Sequence, residues 1–325
     1  MGKDDTIRDH GGNIDMAQAR FGGTDWIDLS TGINRAPFSL PSLPEQAWTA
    51  LPTAAATARL LAAAGAAYRS QAPMLAVAGA QAAIQLIPRL SAPARARILA
   101  PTYNEHAATL RAGGWQVDEV SALSALEGAD LAVVVNPNNP DGRCYQRKEL
   151  LRLAATVGRL VVDESFADAR PELSLASDAG RERLIVLRSF GKFYGLAGLR
   201  LGFILGSEDD ITALAEIAGP WPVSGPAIAI GEAALSDRAW AEAAVARLRA
   251  DAPRLDALAQ SAGWKLLGGT ELFRLYDTPD ATATQDRLAR HQIWTRRFSY
   301  SDRWLRLGLP GSQSEWNRLA RALRD

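Results

Sequence analysis

The sequence predicts an α/β fold, with a mostly parallel central sheet and a smaller α+β domain towards the C-terminus. Short apolar runs recur between residues 97 and 187 and alternate with stretches of helical character. This pattern is typical of a parallel sheet that is covered by helices on both faces. After residue 215 two helical stretches come first and several short strands follow. We therefore predict a large domain over 41–215, a small domain over 216–325, and an N-terminal arm over 1–40 that packs with the small domain.

The elements can be predicted in chain order. A short strand over 25–30 precedes a proline-interrupted segment and Ala-rich helices over 45–70, which break at Leu51-Pro52. A strand over 74–78 leads through a glycine turn into a helix. The other strands of the large domain are predicted at 97–100, 116–120, 130–135, 159–162, 184–187 and 201–205, with helices at 104–112 and 146–157. In the small domain we predict helices at 227–235, 239–261 and 312–323, and strands at 264–267, 272–276, 293–298 and 304–307.

Length, charge and cysteine content narrow the class of protein. A chain of 325 residues can bury a full α/β core and a smaller second domain. Its 36 basic residues balance 36 acidic ones, so neither nucleic acid nor an anionic membrane is an expected partner. The single Cys144 excludes an internal disulfide. Residues 1–15 are polar and no apolar run reaches the ~18 residues of a membrane span, so we expect a soluble cytoplasmic protein.

The segment from Ser189 to Gly202 carries the strongest chemical signal in the chain. It reads S-F-G-K-F-Y-G-L-A-G-L-R-L-G and contains Lys192, one of only four lysines. Glycine and phenylalanine neighbours desolvate a lysine and favour the neutral amine, which can attack a carbonyl and form an imine. Glycines at this density also let the backbone approach a ligand closely. An isolated Gly-Lys pair would indicate only an ordinary loop. In this chain the whole segment indicates a ligand-binding site around Lys192.

A phosphate site is predicted around the same lysine. Ser189 and Arg200 can both meet a phosphate, the arginine through its planar fork. The turn at Gly79, Ala80 and Gln81 starts a helix after a strand, and its free amide groups offer a second wall. An imine-forming lysine beside a phosphate cradle indicates pyridoxal 5′-phosphate (PLP) as the cofactor, and no metal site is predicted.

Further polar residues follow other apolar runs. They are Tyr103, Asn139 in the turn N-P-N-N-P-D-G, and Asp163 with its neighbour Glu164. Alone, each fits a structural role: packing for the tyrosine, turn formation for the asparagine, and solvation for the acids. Because ligands of parallel sheets bind beyond the carboxyl ends of the strands, we expect Tyr103, Asn139 and Asp163 to meet there. We interpret Glu164 as a solvated acid and His106 as structural.

The lysine segment also resembles a known family. The string S-F-G-K-x-Y-G-L-A-G-x-R-x-G is similar to that of fold-type I PLP-dependent enzymes, in particular the group of histidinol-phosphate aminotransferases and threonine-phosphate decarboxylases. The resemblance implies the fold-type I PLP-dependent transferase fold, with Lys192 as imine-forming residue and proton donor. It also implies that Asp163 pairs with the pyridine nitrogen, Asn139 bonds the phenolic oxygen, and Tyr103 stacks on the ring.

The same resemblance implies a substrate site. Arg306, in W-L-R-L-G, matches the arginine that grips the substrate carboxylate, and Asn34 matches a residue that faces the substrate. The opening H-G-G-N is similar to that of threonine-phosphate decarboxylases, and it implies an ordered arm with His10 near a substrate phosphate.

Four positions refine or depart from the family pattern. Phe166 stands where aminotransferases of this class carry tyrosine, and it favours the decarboxylase branch. Asp141 replaces a common threonine, and Arg35 replaces a proline, which leaves the shape of its loop open. Leu51 replaces a tyrosine that reaches the cofactor phosphate of the neighbouring subunit, so completion of the site across a homodimer is less secure.

The implied activity is the decarboxylation of L-threonine O-3-phosphate to (R)-1-amino-2-propanol O-2-phosphate in cobalamin biosynthesis. An aminotransferase acting on histidinol phosphate or an aromatic amino acid is the alternative within the fold. A non-enzymatic ligand-binding protein is the alternative from another class, and Lys192 and Asp163 argue against it. The resemblance implies a homodimer that acts on a small phosphorylated amino acid.

Overall fold

The computed structural model describes residues 10–324, which form two compact units. The first, which we call the sheet unit, comprises Pro37–Asn139 and Arg143–Glu242. The second, which we call the terminal unit, comprises residues 10–36, 140–142 and 243–324. No helix within 10–324 is both long enough and apolar enough to span a bilayer.

Residues 10–324 contain both strands and α-helices, distributed along the whole chain. The strands are β1 (Ile27–Asp28), β2 (Met74–Val77), β3 (Arg95–Leu99), β4 (Gln116–Val120), β5 (Leu131–Val135), β6 (Leu160–Asp163), β7 (Leu184–Ser189), β8 (Gly202–Leu205), β9 (Lys265–Gly269), β10 (Phe273–Asp277), β11 (Ile293–Trp294), β12 (Arg296–Phe298) and β13 (Ser301–Gly308). The α-helices are α1 (Ile14–Phe21), α2 (Gln46–Thr49), α3 (Ala54–Tyr68), α4 (Ala80–Leu86), α5 (Glu105–Ala112), α6 (Arg147–Ala154), α7 (Phe190–Phe193), α8 (Glu208–Ala218), α9 (Gly225–Ser236), α10 (Arg238–Ser261), α11 (Ala281–Arg290) and α12 (Gln313–Ala322).

The sheet unit is built on a seven-stranded sheet in the order β2-β8-β7-β6-β5-β3-β4. The strands from β7 to β4 along this order are parallel, whereas β8 is antiparallel to both of its neighbours. All residues of β5 and β6 are buried, as expected for central strands covered on both faces. The predicted α/β class with a mostly parallel sheet is confirmed.

The reversal of β8 determines where its first residues lie. Ser189, the last residue of β7, pairs with Gly202, the first residue of β8, and Val77 at the end of β2 pairs with the same glycine. The start of β8 therefore lies at the edge of the sheet where β2, β6 and β7 end. Two segments distant in sequence, around Gly79 and around Arg200, are brought together at this edge.

Helices α3 and α9 pack closely in the sheet unit. A Cβ at Gly231 of α9 would lie 2.5 Å from Leu201 Cδ2 and 2.9 Å from Leu60 Cδ1 of α3, so glycine permits the approach. Because of such packing, residues 216–242 group with the sheet unit. The sequence pattern predicts them as the start of the small domain, and the observed boundary falls at 242/243 instead.

The terminal unit has its own sheet, in the antiparallel order β12-β13-β10-β9. Strand β1 pairs with β11 in parallel, and Ala17 of α1 packs in a buried cluster with Ala289 and Trp294. Residues 10–36 and the C-terminal part of the chain thus form one compact body. The sequence did not predict α1, α7, α8 or α11.

Candidate active site

A cavity of about 150 Å³ lies in the sheet unit, at the edge where β6 and β7 end. All nine residues that were predicted to bind the cofactor line it, and so does Phe166. The nine are Gly79, Ala80, Gln81, Tyr103, Asn139, Asp163, Ser189, Lys192 and Arg200. Residues from five separate segments therefore share one small concave site.

One wall of the cavity is formed by the turn after β2 and by Arg200. Gly79 has φ +80°, and a Cβ there would lie 2.7 Å from Nη2 of Arg200. A Cβ at Gly202 would lie 2.6 Å from the amide nitrogen of Ala80. Only glycine lets the guanidinium and the start of α4 come this close. The guanidinium and the first amide groups of the helix form a cradle suited to an anion.

Asp163 lies at another wall and accepts three hydrogen bonds. Oδ1 accepts from the amide of Ser165 at 2.9 Å and from its hydroxyl at 2.5 Å, and His106 Nε2 lies 2.9 Å from Oδ2. Burial alone would raise the pKa of Asp163, but the bonds from His106 and Ser165 outweigh it and hold that pKa below its ordinary value. Our interpretation of His106 as merely structural was therefore incomplete, because it contacts the candidate acid directly.

Lys192 sits on the short helix α7, which is held by aromatic rings. The ring of Phe190 stacks on Tyr194 at 4.5 Å between centroids, and Tyr194 stacks on Trp240 at 5.4 Å. The Nζ atom of Lys192 lies 5.7 Å from the centre of the Phe166 ring. The amine thus lies beside an apolar ring, on a short helix that packs against aromatic side chains.

The turn that carries Asn139 is tied to the loop that carries Tyr103. Nδ2 of Asn138 donates to the carbonyl of Pro101 at 3.0 Å, and its Oδ1 accepts from the hydroxyl of Thr102 at 2.6 Å. Tyr103 Oη donates to Oε1 of Gln81 at 3.2 Å. Hydrogen bonds therefore connect three of the segments that line the cavity.

Glu164 is not a solvated acid, and our interpretation of it was wrong. Its side chain is fully buried and accepts from Nη1 of Arg188 at 2.9 Å, from Ser174 Oγ at 2.5 Å and from the amide of Leu175 at 2.6 Å. Arg188 also donates to Asp168 at 2.9 Å. Because successive side chains of a strand alternate between faces, Glu164 and Arg188 lie on the opposite face from Asp163 and Ser189.

The three predicted substrate residues, His10, Asn34 and Arg306, all belong to the terminal unit. Arg306 is buried, and its Nη2 donates to the carbonyl of Ser30 at 2.7 Å. The N-terminal arm meets the same serine, since the amide of Gly12 donates to Ser30 Oγ at 2.7 Å. Trp294 Nε1 donates to the carbonyl of Gly12 at 3.1 Å. Ser30 thus connects the arm that begins at His10 with Arg306.

A second arginine that sequence reasoning missed lies beside Arg306. Arg296 of β12 is the direct cross-strand partner of Arg306 of β13, and the guanidinium carbon of each lies over the ring of Phe298, at 5.4 and 6.0 Å. Burial, and then the charge of Arg296, lower the pKa of Arg306 to about 9. Arg306 is buried and Arg296 is half-buried, and two neighbouring cations in such surroundings are stabilised by an anion. Arg296 lies in the strand predicted over 293–298, and this strand was the feature of the sequence from which its position beside Arg306 could have been inferred.

Comparison with known proteins places the chain in a family. The model of aminotransferase class I and II matches residues 44–323. The chain belongs to that family. It is 47% identical over 326 residues to a threonine-phosphate decarboxylase of Sinorhizobium sp., with 97% of each chain covered. It is 45% identical over 324 residues to one of Pseudomonas aeruginosa, again with 97% of each covered.

A solved structure agrees with the fold. A histidinol-phosphate aminotransferase from Sinorhizobium meliloti, in complex with pyridoxal-5′-phosphate, has a TM-score of 0.80 at 20% identity, with 95% of this chain and 94% of that chain covered. The fold-type I fold of this family is confirmed.

The cavity residues fit the cofactor that the family implies. PLP carries an aldehyde, a phosphate and a ring nitrogen. The cavity offers an amine at Lys192, a cradle for an anion at Gly79 and Arg200, and an acid of lowered pKa at Asp163. Each group of the cofactor therefore has a chemical counterpart among these residues.

Proposed function

We propose that this protein is a PLP-dependent decarboxylase that converts L-threonine O-3-phosphate to (R)-1-amino-2-propanol O-2-phosphate and CO2, a step of cobalamin biosynthesis. The observation that carries the proposal is the similarity, over nearly the whole chain, to two threonine-phosphate decarboxylases. Phe166 at the position predicted to distinguish decarboxylases supports it, as does the pair of arginines that suits a substrate with two anionic groups.

The cavity residues have distinct tasks in this reaction. PLP, when bound, supplies a conjugated ring that accepts the electron pair left at the α-carbon as CO2 departs. Asp163 remains ionised because His106 and Ser165 stabilise its charge, and so it can hold the ring nitrogen protonated. Lys192 holds the cofactor and then delivers a proton to the α-carbon, where it replaces the lost carboxylate. Arg200, with Gly79 and the start of α4, holds the phosphate.

The family resemblance implies which side chains recognise the anionic groups of the substrate. Arg306 binds the α-carboxylate with its planar fork, and Arg296 binds the phosphate together with His10. The two arginines are direct neighbours on adjacent strands, so they match two anions on one small molecule.

The test is a decarboxylation assay without an acceptor. Purified protein loaded with PLP is incubated with threonine phosphate in the absence of any keto acid, and CO2 and aminopropanol phosphate are measured. We expect stoichiometric amounts of both, and no turnover by Lys192→Ala. Turnover that requires a keto acid would show an aminotransferase instead, and would overturn the proposal.

We also propose that the active form is a homodimer. Four large apolar side chains of the sheet unit are exposed by more than half: Leu40 at 64%, Trp48 at 68%, Leu51 at 64% and Trp221 at 55%. Such exposed apolar groups favour an interface. Light scattering should give twice the mass of the chain, and Trp48→Glu should lower it towards that of one chain. A wild-type mass of one chain would contradict this. A cytoplasmic location stays a prediction.

A further inference from the structure

Arg35 and Glu315 form a forked ion pair in the terminal unit. Nε of Arg35 donates to Oε2 of Glu315 at 2.9 Å, and Nη2 donates to Oε1 at 2.5 Å. Oε2 also accepts from the amide of Gly311 at 2.7 Å. The side chains retain only 25% and 18% of their exposure, so solvent screens the pair less than a surface pair. Two parallel hydrogen bonds fix the orientation of the guanidinium relative to the carboxylate as well as the distance between them.

This ion pair closes the loop that follows β1. Nη1 of Arg35 donates to the carbonyl of Asp28 at 3.3 Å, so the guanidinium spans the loop from Asp28 to Arg35 itself. A Cβ at Gly311 would lie 2.3 Å from the carbonyl oxygen of Arg35. The loop is therefore pressed closely against the turn before α12. The fork and this contact together leave the loop little freedom.

The loop presents Asn34, whose carboxamide is also held. Asn34 is 3% exposed. Its Oδ1 accepts from the amide of Ala36 at 3.0 Å and from Nη2 of Arg247 at 2.6 Å. Arg247 is in turn bound to Asp251 at 3.3 Å on the same helix. The orientation of Asn34 thus depends on the backbone around Arg35, which the ion pair fixes.

We propose that Arg35, through its ion pair with Glu315, is a positioning residue that sets the conformation in which Asn34 meets the substrate. This inference rests on the proposed function, in which Asn34 contacts the substrate. The family resemblance implies a proline at this position, and the ring of a proline restricts the backbone. In this chain an ion pair with α12 supplies the restriction instead. The loop whose shape the sequence left open is therefore defined by a tertiary contact.

The experiment compares variants of the PLP-loaded protein in the decarboxylation of threonine phosphate. Arg35→Ala and Glu315→Gln should raise KM on the order of tenfold and leave kcat within about twofold, because they disturb binding and not the chemical step. Arg35→Lys keeps the positive charge but cannot form two parallel hydrogen bonds, so its KM should lie between the KM of these variants and that of wild type. The matched control is Arg20→Ala, which removes an ion pair with Asp286 in the same unit and should leave KM unchanged.

Amide hydrogen exchange provides a second measurement that does not need turnover. Residues 31–36 should exchange faster in Arg35→Ala and Glu315→Gln than in wild type and Arg20→Ala, and the affinity for PLP should stay the same in all four proteins. Faster exchange with an unchanged KM would overturn the positioning role and leave only a structural one. A wild type that does not turn over threonine phosphate would overturn the proposed function and this inference with it. If Arg35→Ala fails to fold, Arg35→Lys and Glu315→Gln decide between these outcomes.

Discussion

The Nε2 atom of His106 lies 2.9 Å from Oδ2 of Asp163, and both side chains are buried. An ionised carboxylate only accepts hydrogen bonds, so the histidine donates. Burial raises the pKa of Asp163, and the bonds from His106 and Ser165 lower it by more. The folded pKa is therefore below the unfolded one. The stabilisation by these bonds is present at neutral pH and is lost as the pH falls through the folded pKa.

We expect His106→Phe to weaken both cofactor binding and activity in acid. A hydrogen bond to a charged group contributes ~1.5–3 kcal/mol, so the pKa of Asp163 should rise by roughly one unit or more. The acidic limb of the kcat/KM profile should move to higher pH by the same amount, and PLP affinity should fall about tenfold. His106→Gln keeps a donor and is the control. An acidic limb that does not move in His106→Phe would contradict this role.

Replacing Arg188 by Met should destabilise the sheet unit strongly. Arg188 neutralises two buried carboxylates, Glu164 and Asp168, whose pKa values burial raises even in its presence. Removing one partner of a buried ion pair costs ~3–5 kcal/mol. Arg170→Ala removes an exposed ion pair with Glu172 and should lower the free energy of unfolding by at most ~1 kcal/mol. Urea unfolding of the two variants measures the difference, and equal losses would refute the argument.

Arg296→Ala should impair binding of the phosphorylated substrate more than it impairs the chemical step. We expect KM for threonine phosphate to rise at least about tenfold. Arg303→Ala, on the same strand as Arg306 but exposed and paired with Asp277, should bind substrate normally. Removal of Arg296 also removes a cation that lowers the pKa of Arg306. In wild type KM should rise as the pH passes about 9, and in Arg296→Ala this limb should move to higher pH.

Phe166→Tyr should shift the balance between decarboxylation and amino transfer. Phe166 is 5% exposed, and its ring lies 5.7 Å from Nζ of Lys192. The substitution adds a hydroxyl donor in the cavity, next to the group that delivers the proton. We expect CO2 release to fall about tenfold and keto acid-dependent transfer to become measurable. Phe166→Leu, which adds no donor, should show no transfer, and transfer by that variant would exclude the hydroxyl as the cause.

Local sequence patterns predicted the sheet and most of the cavity well. Continuous apolar runs identified β5, β6 and β7, and the residues just after such runs line the cavity, as they do in parallel sheets generally. Pairings over long sequence distances were not predictable in this way. His106 and Asp163 are 57 residues apart, and the helix that carries His106 gives no local sign of its partner.

Glu164 shows what could have been inferred and was not. It directly follows Asp163, and Arg188 directly precedes Ser189. Alternation along a strand places both on the face opposite the cavity, where helices cover the sheet. A charge of each sign on one covered face predicts a buried ion pair. The missed helices have a different cause: α11 is polar on average, and its short apolar stripe was not recognised.

Because β8 is antiparallel to its neighbours, we expect bound PLP to stabilise the edge strand of the seven-stranded sheet. Strand β2 is outermost, and it is hydrogen-bonded to β8 alone in the seven-stranded sheet. Gly79 lies just after β2, and Arg200 lies just before β8. A phosphate bound by both would therefore connect the edge strand β2 to its neighbour β8. Binding of PLP should therefore suppress local unfolding of residues 74–86. The rate at which a protease cleaves within this segment would then measure the fraction of the protein that has PLP bound.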